Sequence, residues 1–394
     1  TAKTSPFTAT SGDGFFVNTS GGAVTVTLPS SPNAGDIVSI ADYTNTFCTH
    51  AVTIGRNGSK IGGVCADAVL ETQGQSITLV YVDGTEGWKN VQDSTSNVTG
   101  NPGFVVATGG TITTDGDFKV HTFNASGSFE VTNTGPSGVG DKVSYVVVAG
   151  GGASGQDQAG AGGAGGYREG KQACGGYTAS PLAATPCSGL TVTEQTYTIT
   201  VGAGGAGAAY PNPVNDGNPS TFSTITSTAG GGGGSQGPAP GKVGRAGGSG
   251  GGGSEASPGS HAGGSGNSPP VSPPQGNNGG ASNNGQYGGG GGGAGEAGNT
   301  DGNGHGGDGV ASSITGSPVT RAGGGSSGAV GPAPSPALPA GIAGGDGGGG
   351  TGAYPGASGS PTVNGAANTG GGAGGGSGWY GACYSAGSNG GSGV

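Results

Sequence analysis

Glycine recurs at every third residue in five stretches of the second half of the chain. These stretches run through Gly241, Gly244, Gly247, Gly250 and Gly253; Gly289, Gly292, Gly295 and Gly298; Gly341, Gly344, Gly347 and Gly350; Gly372, Gly375, Gly378 and Gly381; and Gly387, Gly390 and Gly393. A period of three residues belongs to the extended polyproline-II type of helix, which has no internal hydrogen bonds. Glycine carries no Cβ, so a second backbone can approach it closely. The spacing therefore predicts a bundle of short polyglycine-II helices that hydrogen-bond sideways to one another.

The composition limits how such a chain can be held together. Glycine fills 103 of 394 positions and hydrophobic residues make up only 30%, which is too little for a large side-chain core. Charged residues make up 8%, whereas disordered chains are usually rich in charge. We therefore expect main-chain hydrogen bonds to order the glycine-rich part, with a flexible glycine-serine linker as the alternative.

Charge and hydropathy argue against two classes of partner. The net charge of −10 comes from 21 acidic and 11 basic residues, which form no run of either sign. Nucleic-acid binding needs clustered lysine and arginine, so we expect none. No stretch approaches the ~18 apolar residues needed to cross a bilayer, so we expect no membrane insertion either.

Hydrophobic alternation predicts a mainly β protein with almost no α-helix. Residues 1–98 are predicted to form a small β-sandwich or β-module, in which Phe15–Val17 and Ala23–Leu28 make a hairpin. Residues 104–201 are predicted to be a β-rich domain whose strands lead into glycine runs. Residues 202–394 are then a glycine-rich domain of polyglycine-II helices joined by variable loops. Further strands of the first region are predicted at Asp36–Ala41, Ala51–Ile54 and Ser76–Asp83.

The five cysteines form two pairs that are close in sequence and one that stands alone. Cys48 and Cys65 lie in one β-rich region, Cys174 and Cys187 bracket a proline-containing loop, and Cys383 is left over. Two local disulfides in an extracellular protein are one interpretation of this spacing. Buried thiols in a chain assembled in a reducing cytosol are the other.

The motifs support neither a metal nor a cofactor, and none is predicted. The segment Asp301–His305, followed by Asp308, is similar to the start of an EF-hand calcium loop. Such a loop needs a glutamate near position 312, where Ser312 stands, so a solvated turn is predicted instead. The sequence also lacks a C-x-x-C pair or a Cys/His spacing suited to a metal.

A series of short motifs follows the same order along most of the chain. They are His121–Phe123 with Gly127–Phe129; Tyr145–Gly152; Gly162–Arg168; Tyr197–Gly205; Ser220–Phe222 running through Ile225 to Gly230; and Gly378–Tyr380 ahead of Gly390–Val394. Together they resemble bacteriophage tail-fibre and adhesin proteins with a glycine-rich domain, over roughly residues 104–394. Residues 14–88 resemble a small β-module repeated in such fibres. The resemblance implies a layered polyglycine-II scaffold in an extracellular virion, with loops that recognise the bacterial surface.

Binding residues are expected in the loops, because a bare backbone scaffold offers little to distinguish one ligand from another. Aromatic side chains set among glycines are the candidates, since tyrosine and tryptophan dominate binding hot spots. The predicted receptor contacts are Tyr210, Tyr287, Tyr354, Trp379, Tyr380 and Tyr384. The alternative is that these rings pack over the edge of the scaffold and supply its small core.

Three functions are compatible with this sequence, and the first is favoured. It is a non-enzymatic phage adhesin that binds a bacterial surface receptor, either a glycan or an outer-membrane protein, and other tail-fibre proteins; a homotrimer is expected. The second is a purely structural fibre or decoration subunit, which light scattering would find trimeric or polymeric. The third is a glycan depolymerase, which needs a carboxylate on either side of the glycosidic bond. Acidic residues are sparse in the glycine-rich half, so no catalytic residue is assigned.

Overall fold

A computed structural model describes most of the chain as two compact units. The described residues are 1–93, 103–135, 140–172, 175–184, 188–208, 214–236, 241–255, 259–283, 287–329, 342–353, 362–377 and 387–394. The first unit consists of Thr1–Val106, Asn133–Lys142 and Thr191–Thr193, and the second of Ala107–Thr132, Val143–Leu190 and Glu194–Val394. The regular elements of the described residues are all β-strands, as the sequence predicted. None of the described residues forms a helix with the length and apolar character that spanning a bilayer requires.

The first unit contains two four-stranded sheets. Its strands are β1 (Phe7–Thr8), β2 (Gly14–Val17), β3 (Val24–Thr27), β4 (Ile37–Asp42), β5 (Val52–Gly55), β6 (Ala68–Leu70), β7 (Ser76–Tyr81) and β8 (Trp88–Asp93). One sheet has the order β2-β4-β7-β8 and the other the order β1-β3-β5-β6. Alternate residues of both sheets, such as Ile40 of β4 and Ile54 of β5, are buried in one shared core with Trp88. The unit is therefore two sheets packed around a single hydrophobic core.

The hairpin predicted from the sequence of this unit was wrong. Strand β2 pairs with β4, whereas β3 pairs with β1 and β5, so the two strands lie in different sheets. Both strands bury alternate side chains, including Val17 and Val26, in the same core. Placing the strands in opposite layers encloses that core from two sides, which a hairpin within one layer cannot do.

The remaining strands of the chain are short. They are β9 (Val106–Thr108), β10 (Thr111–Asp115), β11 (Phe118–Thr122), β12 (Gly127–Asn133), β13 (Lys142–Val143), β14 (Tyr145–Val148), β15 (Tyr167–Gly170), β16 (Leu190–Thr191), β17 (Thr196–Thr200), β18 (Ser220–Phe222), β19 (Ile225–Ser227), β20 (Val310–Ser312) and β21 (Val319–Arg321). The largest sheet among them has the order β19-β18-β17-β12-β9. Phe129, Tyr197 and Phe222 pack together on it, with ring centroids 5.7–6.5 Å apart. Each aromatic pair of this kind contributes about 0.5–1.5 kcal/mol beyond the apolar area it buries.

Glycine runs of the second unit hydrogen-bond to distant parts of the chain with a period of three residues. The N–H groups of Gly160, Gly163 and Gly166 donate to the carbonyl groups of Gly234, Gly231 and Thr228. Those of Ala159, Gly162 and Gly165 donate to Gly376, Ala373 and Gly370, and those of Ala161 and Ala164 donate to Gly289 and Gly292. Three successive residues thus bond to three different segments, and the fourth returns to the first segment. This is the sideways bonding that the glycine spacing predicted, while the polyglycine-II dihedral angles themselves stay a prediction.

We call segments 149–166, 228–234, 244–253, 288–295, 322–329 and 370–376 the glycine lattice. Backbones in it are so close that a Cβ added at Gly162 would overlap the carbonyl oxygen of Gly152. At Gly291 an added Cβ would overlap the carbonyl oxygen of Gly162. Some positions do have room for a methyl group, and there alanines such as Ala373 are completely buried. Glycine is therefore required in the lattice by the approach of neighbouring backbones.

Strand β14 carries the chain directly into the glycine lattice, as the sequence predicted. It pairs with β15 through Val148, and the next N–H group, of Ala149, donates to the Gly166 carbonyl oxygen within the lattice. Those of Gly150 and Gly151 donate to Asn218 and Gly391. A small apolar cluster lies at this junction and consists of Val148, Ala164, Tyr167, Ala294, Val310 and Ala322. The second unit includes residues on both sides of position 201, and the domain boundary between residues 201 and 202 stays a prediction.

Candidate functional site

Of the six aromatic residues predicted to contact a receptor, Tyr287 lies within the described residues. It is half-buried, and its backbone forms bridges with Asn283 and Ala329. The N–H group of Asn283 donates to the Tyr287 carbonyl oxygen at 2.9 Å. The other five lie outside the described residues and are Tyr210, Tyr354, Trp379, Tyr380 and Tyr384. Receptor contact through all six stays a prediction.

The first of the two predicted disulfides is not formed in the structure. Cys48 and Cys65 are free cysteines, the former exposed and the latter half-buried. The Cys48 sulfur instead lies 3.8 Å from the hydroxyl oxygen of Thr49. Cys174, Cys187 and Cys383 lie outside the described residues, so the second disulfide stays a prediction.

A proline-rich loop at residues 268–274, which we call the proline loop, is held in place by the polar residues at its two ends. Asn267 accepts hydrogen bonds from the N–H groups of Val271 and Gln275, at 3.1 and 3.3 Å, and donates to the Val271 carbonyl oxygen at 3.1 Å. Pro269 and Pro270 between these anchors are exposed. The loop therefore presents a rigid surface, because its backbone is tied down on the inner side.

Gln275 connects the proline loop to the glycine lattice. Its side chain is completely buried, and its Oε1 accepts a hydrogen bond from the N–H group of Thr228 at 2.9 Å. Its Nε2 donates to the Thr228 hydroxyl at 3.1 Å and to the Pro269 carbonyl oxygen at 3.2 Å. Sequence reasoning missed this residue, since a single glutamine beside prolines has no pattern that indicates burial.

Replacing Gln275 with alanine is expected to destabilise the second unit by about 2–3 kcal/mol, because the Thr228 N–H group and the Pro269 carbonyl oxygen lose their partner. Thermal unfolding followed by calorimetry measures the loss. Val271→Ala is the matched control in the same loop, since the hydrogen bonds of Val271 come from its backbone. Equal stability of the two variants would contradict the anchoring role of Gln275.

A buried carboxylate joins three segments of the second unit. Glu169 in β15 is 2% exposed. Its Oε2 accepts hydrogen bonds from the Tyr167 hydroxyl and the Ser180 N–H group, both at 2.9 Å. Its Oε1 accepts one from the hydroxyl of Ser312, at the end of β20, at 2.7 Å. A carboxylate is tolerated in an interior only with such partners, so these bonds hold β15, β20 and the segment at Ser180 together.

The groups around Glu169 have perturbed pKa values. Burial raises the pKa of the Tyr167 phenol well above its ordinary value, and the negative charge of Glu169 raises it further. The same two causes raise the pKa of Tyr177. Burial lowers the pKa of the Arg321 guanidinium, while the negative charge of Glu169 acts in the opposite direction. Both phenols therefore stay protonated at neutral pH, which suits hydrogen-bond donors that stabilise the fold.

Two carboxylates of the turn that the sequence predicted to be solvated come together with a third, that of Glu296. Ligand oxygens of Glu296, Asp301 and Asp308 lie within 4.8 Å of one another, with Asp301 exposed and the other two half-buried. Glu296 accepts a hydrogen bond from the Asp308 N–H group at 3.3 Å, and Asp308 accepts one from the Asp346 N–H group at 2.6 Å. Carboxylate oxygens are what calcium prefers. These backbone bonds account for the positions of two of the three groups, and we assign no metal.

The glycine lattice lies in a region that matches a known protein family. The family model of a glycine-rich domain matches residues 122–394 of the chain. The match covers more than half of the sequence and includes β12, Glu169, the proline loop and every segment of the glycine lattice. The search of curated proteins found no match to this chain.

Proposed function

We propose that this chain, which belongs to the glycine-rich domain family, is a receptor-binding adhesin of a bacteriophage tail fibre. It contacts the surface of its bacterial host through loops carried on the glycine lattice. The observation that carries the proposal is the closeness of the backbones, since a Cβ at Gly162 or Gly291 would overlap a carbonyl oxygen. Side chains that recognise a receptor therefore have to lie between lattice segments, where binding residues concentrate on rigid scaffolds.

The proline loop supports this proposal by its anchoring. The Asn267 N–H group donates to the Gly248 carbonyl oxygen, and the Gln275 side chain accepts from the Thr228 N–H group, so both ends of the loop are fixed to the lattice. Pro269 and Pro270 face solvent. A loop whose conformation is set before binding loses less entropy when it meets its partner. Such loops can change in sequence without disturbing the lattice beneath them, which suits a protein that has to adapt to different receptors.

Part of the 289–298 run is hydrogen-bonded within its own chain, as a self-contained adhesive tip requires. The N–H groups of Gly289, Gly291 and Gly292 donate to Gly253, Gly325 and Gly250 of the same chain. One chain thus supplies the partners of these groups. We propose an extracellular location in the virion, with a host glycan or outer-membrane protein and other tail-fibre proteins as partners, in a homotrimeric assembly.

Binding to bacteria tests the proposal directly. The full chain with a fluorescent N-terminal tag is incubated with a panel of bacterial strains, and cell-bound fluorescence and inhibition of phage adsorption are measured. We expect saturable binding to some strains. Replacing residues 268–274 with glycine and serine, while Asn267 and Gln275 are kept, is expected to weaken it at least tenfold. The matched control replaces Thr113 and Thr114 of β10, which are exposed outside the loops, with serine.

The binding results distinguish an adhesin that recognises its receptor through loops from a purely structural fibre. Binding that survives replacement of the proline loop and of the other loops between lattice segments would refute recognition through loops. A chain that binds no strain would overturn the adhesin role. In that case a polymeric mass in light scattering, larger than that of the proposed homotrimer, would favour the structural fibre.

A further inference from the structure

The outer face of the sheet β2-β4-β7-β8 carries a shallow pocket of about 260 Å³. Its floor is set by strand register, because Gly14, Ser39, Thr78 and Gln92 lie opposite one another across the four strands. Neighbouring strands lie ~4.8 Å apart, so this row spans roughly 14 Å. Gly14 at one end of the row and Ser39 next to it have small side chains and keep the floor low. The dimensions suit a flat ring lying on the sheet.

Two exposed aromatic side chains stand at one end of this pocket. Phe16 lines it from β2 and is 60% exposed, and the residues opposite it, Ala41 and Ser76, are small. Tyr43 is 58% exposed and packs edge-on against Phe16, with ring centroids 6.2 Å apart. Single exposed apolar residues are common on protein surfaces, whereas adjoining ones beside a pocket indicate a binding surface. The faces of such rings attract the C–H groups of a ligand.

Hydrogen-bonding groups lie on the floor of the pocket and at the end opposite Phe16. The hydroxyls of Ser39 and Thr78 are 2.9 Å apart and share one hydrogen bond. That bond uses one of their two hydroxyl hydrogens, which leaves the other to donate and both oxygens to accept. The ladder between β7 and β8 shifts register after Thr78, so that Val91 is the extra residue and Gln92 lies opposite Thr78. Bulges of this kind redirect side chains near binding sites.

We propose that this pocket binds a neutral sugar ring. The apolar face of the ring stacks on Phe16, and its hydroxyl groups bond to Ser39, Thr78 and the amide of Gln92. The lining residues carry no charge, which disfavours anions and charged peptides. The volume is below the ~300–1,000 Å³ of sites for drug-sized ligands, as a single ring requires. The site belongs to the first unit and stands independently of receptor binding through the lattice loops.

Saturation-transfer NMR on the full chain tests the proposal with glucose, galactose, mannose, N-acetylglucosamine, maltose and cellobiose as probes. At least one is expected to bind. Phe16→Ala is expected to weaken it roughly fivefold to tenfold, which is the effect of losing an aromatic contact. Phe104→Ala is the matched control, because Phe104 is 58% exposed in the same unit and does not line the pocket. It is expected to leave the affinity unchanged.

A second variant separates binding from folding. Thr78→Val keeps the shape of the side chain and removes its hydroxyl, so it is expected to weaken the same sugar about threefold or more while the melting temperature stays within a few degrees. The proposal is overturned if none of the six sugars binds or if Phe16→Ala and Phe104→Ala bind equally well. Tighter binding of adenine than of any sugar would also overturn it. So would a fall in the solution mass of Phe16→Ala, because the occupant would then be a second copy of the chain.

Discussion

Gly162→Ala is expected to destabilise the second unit by more than about 3 kcal/mol, enough to lower its melting temperature by roughly 6–12 °C. The added Cβ would overlap the Gly152 carbonyl oxygen and lie close to the backbone nitrogen of Ala373. Backbone atoms cannot turn aside as a flexible side chain can, so a lattice segment has to move. That movement weakens the bond from the Gly162 N–H group to Ala373, which is 2.9 Å long. Differential scanning calorimetry measures the loss.

Gly127→Ala is the matched control for this experiment. Gly127 lies in β12 of the same unit, and a Cβ there would meet the Phe123 ring at 3.7 Å, which is ordinary van der Waals contact. We expect a change of less than about 1 kcal/mol, since alanine also reduces the freedom of the unfolded chain. If the two variants unfolded at the same temperature, close backbone packing would not be what stabilises the lattice.

Glu169→Ala is the second change with a large expected effect, a loss of about 3–5 kcal/mol. It leaves the Tyr167 hydroxyl, the Ser180 N–H group and the Ser312 hydroxyl without their shared acceptor. It also removes the negative charge that acts on the buried guanidinium of Arg321. An uncompensated buried charge is costly, so this effect adds to the lost hydrogen bonds. Unfolding in urea, followed by tyrosine fluorescence, gives the free-energy difference.

Two further variants serve as controls for Glu169→Ala. Glu194→Ala removes an exposed carboxylate of the same unit and is expected to cost less than about 0.5 kcal/mol. Glu169→Gln keeps the size of the side chain but turns an amide donor toward groups that also donate, so a large part of the loss is expected to remain. A Glu169→Ala protein as stable as Glu194→Ala would show that the buried carboxylate does not hold these segments together.

Single polar residues were the least predictable part of the candidate site. Gln275 and Glu169 anchor the proline loop and strand β15, yet each is an isolated residue in its local sequence. Their importance comes from burial, which depends on how segments up to 143 residues apart come together, as Ser312 and Glu169 do. An aromatic residue among glycines, in contrast, is easily noticed in the sequence, but the sequence does not show how far its ring is buried. Tyr287 is half-buried, and its backbone bridges to Asn283 and Ala329.

The glycine spacing by itself determined that segments would bond sideways every third residue, because that period is a property of the local backbone. Alternation likewise indicated five strands of the first unit, β2, β3, β4, β5 and β7, whereas the short strands β1 and β6 and the strand β8 were not predicted. Only the tertiary structure decided which segments are neighbours, for example that the 160–166 run bonds to 228–234, and that β2 and β3 lie in opposite sheets. A local pattern states which groups need partners, whereas the choice of partner depends on packing between residues far apart in the chain.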